Sequence, residues 1–453
     1  MAQTHSISDR VPASAGRASG LSGNVRVPGD KSISHRALLF ALLAKGRTRI
    51  TGLLEGDDVL ATAAAVRQLG ATVEKQPDGV WQVDGVGLGH LRAPAQTLDM
   101  GNSGTAARLL IGLLATHPLT AHLTGDASLR SRPMARLTGP LAPTGATFET
   151  QAGGRLPMRI DGCSDGQPLH HRLTVASAQV KSALLLAALN VVGESTVIDP
   201  YGTRDHTENM LSHFGADISV AREGALSVIK VQGRPKLVPA DLAVPADPSS
   251  AAFPVVAALI CEGSHITLPG VCLNPSRTGL FSALEQMGAN ISIDNQRVEG
   301  GEQVGDLVAQ TSQLKGITVV PETVPSMVDE FPILAVAAAN ASGLSRFCGL
   351  AELRVKESDR LAAIHAGLLR IGVKSHIEGD DLIIEGAGHG GVPGGEASAP
   401  VVTHFDHRIA MSFLIAGLAS QQSIWVDDTR AIATSFPNFF ALLTELGAIL
   451  LQE

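Results

Sequence analysis

The residues best suited to chemistry near the start of the chain are Lys31, Ser32 and Arg36, within the sequence RVPGDKSISHR at residues 26–36. A Pro-Gly-Asp turn precedes Lys31, and the apolar residues 37–44 that follow predict a buried helix. Backbone N–H groups at the helix start, an ammonium, a hydroxyl and a guanidinium would then meet at one place. This arrangement predicts a phosphate or carboxylate site, and the alternative is a capped core helix with solvated charges.

Other polar clusters contain groups of the same kind. Arg132 and Arg204 each lie in a polar loop, and a solvated basic loop is the alternative for each. The sequence ELRVKESDR at residues 352–360 predicts neighbouring charges at a helix start, although a salt-bridged surface would show the same pattern. In HFDHR at residues 404–408, the two histidines and one aspartate are too weak a pattern for a metal site. An arginine at a buried helix start is the favoured interpretation there.

The elements that must position these residues repeat along the chain. A short polar segment leads into an apolar helical pattern six times, at intervals of 70 to 81 residues. The six polar segments contain Lys31, Gly104, Gln179, Ser249, Glu330 and Arg408. A second marker repeats in phase, a glycine between a helical and a strand-like pattern, at Gly70, Gly145, Gly215, Gly288, Gly372 and Gly447. Glycine at that place is a helix C-cap, so the sequence predicts six copies of one α/β unit.

Six such units fit an α/β fold of two inside-out domains. Three units can pack their apolar helices in the centre of a domain and place their sheets outside. We predict one domain at residues 28–240 and a second at residues 21–27 plus 241–453, joined by a two-strand hinge. Residues 1–20 are predicted to be a flexible N-terminus. Helix N-termini that face one cleft would bind anions although the protein is acidic overall.

The composition of the 453 residues argues against several classes of protein. A net charge of -8 and an aromatic content of 3% disfavour a nucleic-acid partner. No apolar run reaches the roughly 18 residues that span a membrane, and residues 1–20 lack the apolar core of a signal peptide. The four cysteines include no C-x-x-C pair, so neither a disulfide framework nor a thiolate zinc site is predicted. We therefore expect a soluble, cytoplasmic protein, and a monomer.

Taken together, the motifs closely resemble those of the 5-enolpyruvylshikimate-3-phosphate synthase family. The matching sequences are PGDKSISHR (28–36), GNSGT (101–105), RPM (132–134), LRVKESDR (353–360) and DHRIAM (406–411). They follow in order from about Leu21 to the C-terminus, and SAQ at 177–179 resembles the class II bacterial members. The fold of the family, with three βαβαββ-like units in each of two inside-out domains, agrees with the repeat.

This resemblance implies a reaction. The enolpyruvyl group of phosphoenolpyruvate would be transferred to the 5-hydroxyl of shikimate 3-phosphate, with release of phosphate, in the synthesis of chorismate and aromatic amino acids. These two substrates are the implied partners, and glyphosate, which competes with phosphoenolpyruvate in this family, is the implied inhibitor. Two phosphates and a carboxylate would explain the arginines, and no metal or organic cofactor is implied.

Each candidate residue takes its implied role from the motif that it matches. Contacts with shikimate 3-phosphate are implied for Lys31, Ser32, Arg36, Ser177, Ala178, Gln179, Arg204, Asp329 and Lys356. Contacts with phosphoenolpyruvate are implied for Lys31, Gly104, Arg132, Gln179, Arg360 and Arg408. Glu357 matches a proton donor, and Asp329 is the candidate base for the 5-hydroxyl. The division of the proton transfers between Asp329, Glu357 and Lys31 stays open.

Three positions bear on departures from the family pattern. Thr434 stands where many members carry a lysine before the C-terminal Phe-Pro, so one phosphoenolpyruvate contact is missing or replaced. Leu109 replaces a proline of glyphosate-sensitive class I members, which favours tolerance. Gly104 is alanine in some tolerant class II members, and the glycine here lacks that steric block. The two features oppose each other, and intermediate tolerance is the hypothesis.

Two other functions are alternatives. Enolpyruvyl transfer to UDP-N-acetylglucosamine is the nearest, but its enzymes use a loop cysteine as acid, and no cysteine here lies in a matching loop. A non-catalytic, anion-binding repeat protein would leave Asp329, Lys356 and Glu357 without a purpose.

Overall fold

The computed structural model describes residues 10–452, which form thirteen α-helices and twenty-three β-strands. The helices are α1 (Lys31–Leu43), α2 (Asp57–Gln68), α3 (Gly104–Ala115), α4 (Ala127–Ser131), α5 (Ala135–Leu141), α6 (Ala178–Ala188), α7 (His206–His213), α8 (Pro248–Ile260), α9 (Gly279–Gln286), α10 (Phe331–Ala339), α11 (Arg360–Arg370), α12 (His407–Gly417) and α13 (Phe439–Glu445). None of the helices in this part of the chain is long and apolar enough to cross a membrane.

The strands are short and follow the helices in a regular order. They are β1 (Ala13–Gly16), β2 (Ser22–Asn24), β3 (Gly46–Thr51), β4 (Thr72–Lys75), β5 (Trp81–Gly85), β6 (Leu98–Asp99), β7 (Thr120–Thr124), β8 (Thr147–Gln151), β9 (Arg155–Asp161), β10 (His170–Arg172), β11 (Glu194–Asp199), β12 (Ile218–Glu223), β13 (Leu226–Gln232), β14 (Leu242–Ala243), β15 (His265–Cys272), β16 (Asn290–Glu299), β17 (Glu302–Gln310), β18 (Thr318–Val319), β19 (Ser342–Phe347), β20 (Ser375–Glu378), β21 (Asp381–Ala387), β22 (Ile424–Val426) and β23 (Ile449–Gln452).

The chain forms two compact units. Unit 1 contains Gly29–Val244 and Val298–Glu302, and unit 2 contains the described residues up to Pro28, Pro245–Arg297 and the residues from Gln303 onward. The two-strand hinge stays a prediction.

Unit 1 contains three copies of one arrangement. Its three sheets have the strand orders β14-β3-β5-β4, β6-β7-β9-β8 and β10-β11-β13-β12. In each sheet the first pair is parallel and the other two pairs are antiparallel. Helices α1, α3 and α6 are buried almost throughout, and beyond their first two turns their sequences are apolar on all sides. The centre of the unit is therefore helical, and the sheets surround it.

Unit 2 repeats the arrangement with one change. The orders β2-β15-β17-β16 and β18-β19-β21-β20 match those of unit 1, and the third sheet has three strands in the order β22-β1-β23. Helices α8, α10 and α12 are the buried ones. Both units thus have the predicted inside-out construction, and the predicted fold class is confirmed.

The N-terminal strand corrects one prediction. Residues 1–20 were predicted to be flexible, but Ala13–Gly16 form β1, which pairs with β22 on one side and with β23 on the other. Ala13 and Ala15 are completely buried. Small side chains gave the segment no strong apolar pattern, and its order comes from pairing with strands more than 400 residues away in sequence. Residues 1–9, which the same prediction covers, lie outside the described residues.

The six predicted C-cap glycines are confirmed. All of them have a left-handed backbone, with φ between 77° and 113°, and each follows a helix and precedes a strand. A side chain at such a position is strained, so glycine is the residue that allows the chain to leave the helix there.

Close approach of α3 to α6 leads to a prediction about stability. Gly112 faces the backbone of α6, and a Cβ atom at this position would overlap the carbonyl of Ala183. We expect Gly112→Ala to lower the free energy of unfolding of unit 1 by about 1–3 kcal/mol, because the helices would have to separate. Urea denaturation measures this difference. Gly395→Ala is the control, since a Cβ there meets only the Arg370 carbonyl oxygen, at 3.9 Å. Equal stability of the two variants would contradict the close approach.

Candidate active site

The start of α1 lies where the sequence predicted it. The Asp30 carboxylate caps the helix by accepting a hydrogen bond from the Ile33 N–H at 2.8 Å. Lys31 is the first helical residue, and its Nζ lies 2.5 Å from Oδ2 of Asp58 on α2. The Asp58 carboxylate is buried and holds the Lys31 ammonium in place. The Lys31 side chain is itself 22% exposed, so a ligand can reach it. Asp58 had no sequence signal, because it meets Lys31 only through the packing of α1 on α2.

Arg36 is more deeply buried than a surface phosphate ligand would be. Its Nε donates to Oγ1 of Thr207 and its Nη2 to Oγ of Ser182, both at 2.7 Å. Its Nη1 donates to the Ser32 carbonyl at 2.9 Å. Burial lowers the pKa of Arg36 to about 10, and the nearby charge of Arg204 contributes in the same direction against opposing carboxylates. The guanidinium is still charged at neutral pH, and Arg204 lies close enough to add a second positive charge.

The starts of α3 and α6 form the second part of this cluster. Gln179 accepts a hydrogen bond from Nη1 of Arg108 at 2.5 Å and donates one to Oγ1 of Thr105 at 2.9 Å. A Cβ atom on Gly104, the first residue of α3, would lie 2.9 Å from Arg108 Nη1 and 3.0 Å from Arg132 Nη1. Two guanidinium groups therefore lie beside this helix start, and glycine leaves room for them. The sequence analysis missed Arg108, although its place one turn after Gly104 was a usable signal.

His35 connects α1 with α3. Its Nδ1 lies 2.7 Å from Oγ1 of Thr62, and its Nε2 lies 3.4 Å from Oγ of Ser103, the N-cap of α3. Burial, followed by the charges of Lys31 and Arg36, holds the pKa of His35 well below its ordinary value. The imidazole is therefore neutral and serves to join the two helix starts.

The cluster in unit 2 is organised around Arg360. Its side chain is 1% exposed; Nε lies 2.8 Å from Oδ2 of Asp406, Nη2 lies 2.6 Å from Oε2 of Glu357, and Nη1 lies 3.3 Å from Oδ1 of Asp329. Burial disfavours the charge of Arg360, but the three carboxylates outweigh it and raise the pKa of the guanidinium. Burial alone would raise the pKa of Asp406. The charge of Arg360 outweighs the effect of burial, so the pKa of this carboxyl lies below its ordinary value.

Two further cations, Lys356 and Arg408, lie in the same cluster. Nζ of Lys356 lies 3.5 Å from Oδ1 of Asp329. Nη1 of Arg408 donates to the Asp329 carbonyl at 3.1 Å and lies 3.7 Å from Oε1 of Glu330, which also accepts a hydrogen bond from the hydroxyl of Ser249. Carboxylates and cations alternate in this cluster, whereas cations predominate at the helix starts of unit 1. Unit 2 is thus suited to proton transfer and hydroxyl binding, and unit 1 to anion binding.

The candidate site residues from the sequence analysis are divided between the two units. Unit 1 contains Lys31, Ser32, Arg36, Gly104, Arg132, Ser177, Ala178, Gln179 and Arg204, and unit 2 contains Asp329, Lys356, Glu357, Arg360 and Arg408. Thr434, the departure from the family pattern, donates its hydroxyl to the Ala431 carbonyl at 2.7 Å and adds no charge. Within residues 10–452, no group of three or more His, Cys, Asp or Glu is arranged to hold a metal ion.

Two inside-out α/β units of three repeats each, one with cations at its helix starts and the other with alternating cations and carboxylates, fit the enolpyruvyl transferase class. Comparison with known proteins narrows this class to one family. A sequence model of EPSP synthase, 3-phosphoshikimate 1-carboxyvinyltransferase, matches residues 17–443. The chain therefore belongs to the EPSP synthase family.

Individual relatives are similar to this chain in sequence over nearly its whole length. The 3-phosphoshikimate 1-carboxyvinyltransferase of Granulibacter bethesdensis is 59% identical over 453 residues, 99% of each chain. That of Acidiphilium cryptum is 58% identical over 431 residues, which cover 95% of this chain and 96% of the relative. The solved structure of EPSP synthase from Acinetobacter baumannii has a TM-score of 0.87 and 43% identity, and covers 98% of this chain and 100% of that one.

Proposed function

We propose that the two clusters carry out the reaction of this family, with the phosphate and carboxylate groups held by cations and the protons moved by carboxylates. The chain is a transferase of the shikimate pathway of aromatic amino-acid biosynthesis. It transfers the enolpyruvyl group of phosphoenolpyruvate to the 5-hydroxyl of shikimate 3-phosphate and releases phosphate. The observation that carries the assignment of roles is the gathering of Lys31, Arg36, Arg108 and Arg132 around adjoining helix starts.

The binding roles follow from charge and position. Lys31, Ser32, Arg36 and Arg204 would hold the phosphate of shikimate 3-phosphate, since helix starts and guanidinium groups both favour oxyanions. The other assigned contacts with this substrate are Ser177, Ala178, Gln179, Asp329 and Lys356. The contacts assigned to phosphoenolpyruvate are Lys31, Gly104, Arg132, Gln179, Arg360 and Arg408. Arg132 already donates to the Asn102 side chain at 2.9 Å, which fixes the direction of its guanidinium.

The proton transfers balance with two carboxylates. The 5-hydroxyl oxygen forms a bond to C2 of phosphoenolpyruvate while Asp329 accepts the hydroxyl proton and Glu357 donates a proton to C3. The tetrahedral intermediate then returns a proton from C3 to the Glu357 carboxylate while its C2–O bond to phosphate breaks. The departing phosphate takes up the proton that Asp329 holds, with Lys31 available to the departing oxygen. In the ligand-free protein Nη2 of Arg360 lies 2.6 Å from Oε2 of Glu357, which holds this side chain in place. Binding of the phosphoenolpyruvate carboxylate to Arg360 would weaken this pair and leave Glu357 available for proton transfer.

The test of the function is phosphate release. We expect phosphate when shikimate 3-phosphate and phosphoenolpyruvate are both present and none when either is omitted. UDP-N-acetylglucosamine in place of shikimate 3-phosphate should release no phosphate. Binding of both substrates without turnover would instead support a non-catalytic binding protein.

Glyphosate tolerance is predicted to depend on Gly104. A methyl group there would displace the guanidinium groups of Arg108 and Arg132, whose Nη1 atoms would lie 2.9 and 3.0 Å from the new Cβ. We expect Gly104→Ala to raise the KM for phosphoenolpyruvate by up to about tenfold and the inhibition constant of glyphosate by more. Inhibition at fixed phosphoenolpyruvate measures the second effect, and the KM for shikimate 3-phosphate is the internal control. An unchanged inhibition constant would mean that Gly104 does not line the inhibitor site.

Inhibition by glyphosate, a monomeric state and a cytoplasmic location are proposals that derive from the family resemblance and the composition. Light scattering during size-exclusion chromatography tests the monomer, and fractionation of the host cell tests the location.

A further inference from the structure

A buried lysine in the first turn of α6, in unit 1, has no role in the reaction described above. Lys181 belongs to α6, two residues after Gln179, and its side chain is 1% exposed. Its Nζ lies 2.8 Å from Oε1 of Glu208 and 3.2 Å from Oδ2 of Asp199, and it donates to the Thr203 carbonyl at 3.0 Å. An ammonium has three N–H donors, and these three acceptors use all of them. Burial of such a group is costly unless it is fully paired, as it is here.

The partners of Lys181 form the turn that carries Arg204. Asp199 ends β11, and its carboxylate accepts hydrogen bonds from the N–H groups of Tyr201 and Thr203, each at 2.9 Å. It also accepts one from the Thr203 hydroxyl at 2.7 Å. The backbone of the turn is therefore held by one carboxylate, and Lys181 contacts both this carboxylate and the Thr203 carbonyl. Arg204 is the next residue along the chain.

The third partner of Lys181 ties the turn to α7. Glu208 lies on α7, one residue after Thr207, which accepts a hydrogen bond from Nε of Arg36. Ser182, the neighbour of Lys181 on α6, accepts from Nη2 of Arg36. The same two helices are thus joined by two adjacent cations, Lys181 and Arg36. Burial raises the pKa of Glu208, although the charge of Lys181 acts in the opposite direction.

From this geometry we propose that Lys181 is a positioning residue for the sugar-phosphate site: it fixes the 199–203 turn that presents Arg204 and the α6–α7 contact that holds Arg36. The proposal rests on the assignment of Arg36 and Arg204 to the phosphate of shikimate 3-phosphate. Lys181 contacts no substrate itself, because its donors are all used by the protein. Its loss should weaken binding of the phosphorylated ring and leave phosphoenolpyruvate binding nearly unchanged.

The first experiment compares Lys181→Met with Asn190→Ala. Methionine keeps the apolar stem and removes the ammonium. Asn190, which is buried, donates to the Thr116 carbonyl at the far ends of α6 and α3, so its variant destabilises unit 1 away from the site. We expect Lys181→Met to raise the KM for shikimate 3-phosphate by about 10–100-fold, the loss of one to two charge-assisted contacts. The KM for phosphoenolpyruvate should change less than about threefold, and Asn190→Ala should change neither value.

The double variant Lys181→Met/Glu208→Gln separates positioning from stability. It removes one unpaired buried carboxylate and should restore part of the lost stability, but it leaves the turn without its ammonium. The KM for shikimate 3-phosphate should therefore stay high. If this KM returns to the wild-type value with the stability, or if Lys181→Met raises both KM values equally, the proposal is overturned.

Hydrogen exchange in the ligand-free proteins gives a readout that does not depend on activity. The amides of Tyr201 and Thr203 should exchange faster in Lys181→Met than in Asn190→Ala, because Asp199 no longer has a fixed position. Unchanged exchange of these amides overturns the proposal. Faster exchange together with an unchanged KM for shikimate 3-phosphate also overturns it, since the turn would then not govern the ligand. Absence of turnover in the wild-type enzyme would refute the proposed function, while the exchange rates would still test the role of Lys181 in the turn.

Discussion

Glu357→Gln is expected to lower turnover by about 10²–10⁴-fold while the KM values change much less. Glutamine keeps the size of the side chain and an oxygen beside Arg360, but it has no acidic proton to give to C3 of phosphoenolpyruvate. Glu357 lies 2.6 Å from the buried Arg360, so its position is fixed and the loss should fall on the chemical step. Steady-state kinetics with both substrates varied provides the measurement.

The matched control is Glu352→Gln, an exposed residue of the same segment, which should keep normal turnover. The pH dependence adds a second criterion, because a proton donor contributes one limb of the turnover profile. That limb should disappear in Glu357→Gln and persist in Glu352→Gln. Near-normal turnover of Glu357→Gln would assign the donor role to another group, with Lys31 the next candidate.

Arg360→Met is expected to lower the free energy of unfolding of unit 2 by about 3–5 kcal/mol, because removal of one partner leaves buried carboxylates without their cation. Three carboxylates are affected, and Asp406 is completely buried. Arg360 holds the pKa of Asp406 below its unfolded value, so this stability is present at neutral pH and is lost as the carboxylate takes up a proton in acid. The difference between variant and wild type should therefore shrink as the pH falls below about 4.

Chemical denaturation at pH 7 and at low pH measures both effects. Arg370→Met, at the exposed end of the same helix, should cost less than about 1 kcal/mol at either pH. If Arg360→Met also lost less than about 1 kcal/mol, water or a rearranged side chain would be stabilising the three carboxylates in place of Arg360. A loss that does not depend on pH would point to packing in place of charge.

The fold was largely predictable because each repeat has sequence patterns that depend only on neighbouring residues. Apolar helices and the C-cap glycines such as Gly70 and Gly372 depend on residues close to them in sequence, and six copies reinforced one another. Strand β1 was not predictable in this way. Its alternating small residues become informative only when β22 and β23 are in place on both sides.

The candidate site shows the same limit. Lys31, Gly104 and Arg408 could be found from the sequence, because each belongs to a recognisable motif and lies at a predicted helix start. Their partners come from distant parts of the chain, and no local pattern marked Asp58 as the counterion of Lys31. Lys181 was visible in the sequence as a single charge inside an apolar helix. Its role could be inferred only from the structure, which places it beside Asp199.

The central place of β1 has a consequence for biosynthesis. Its neighbours, β22 and β23, leave the ribosome more than 400 residues after it. At typical elongation rates of roughly 5–20 residues per second, this strand waits for about 20–80 s before its sheet can close. An unpaired strand is exposed to wrong partners during that time, and the small, weakly apolar side chains of Ala13–Gly16 reduce that hazard. The synthesis of β23, and not the folding of earlier segments, therefore sets the earliest moment at which the third sheet of unit 2 can be completed.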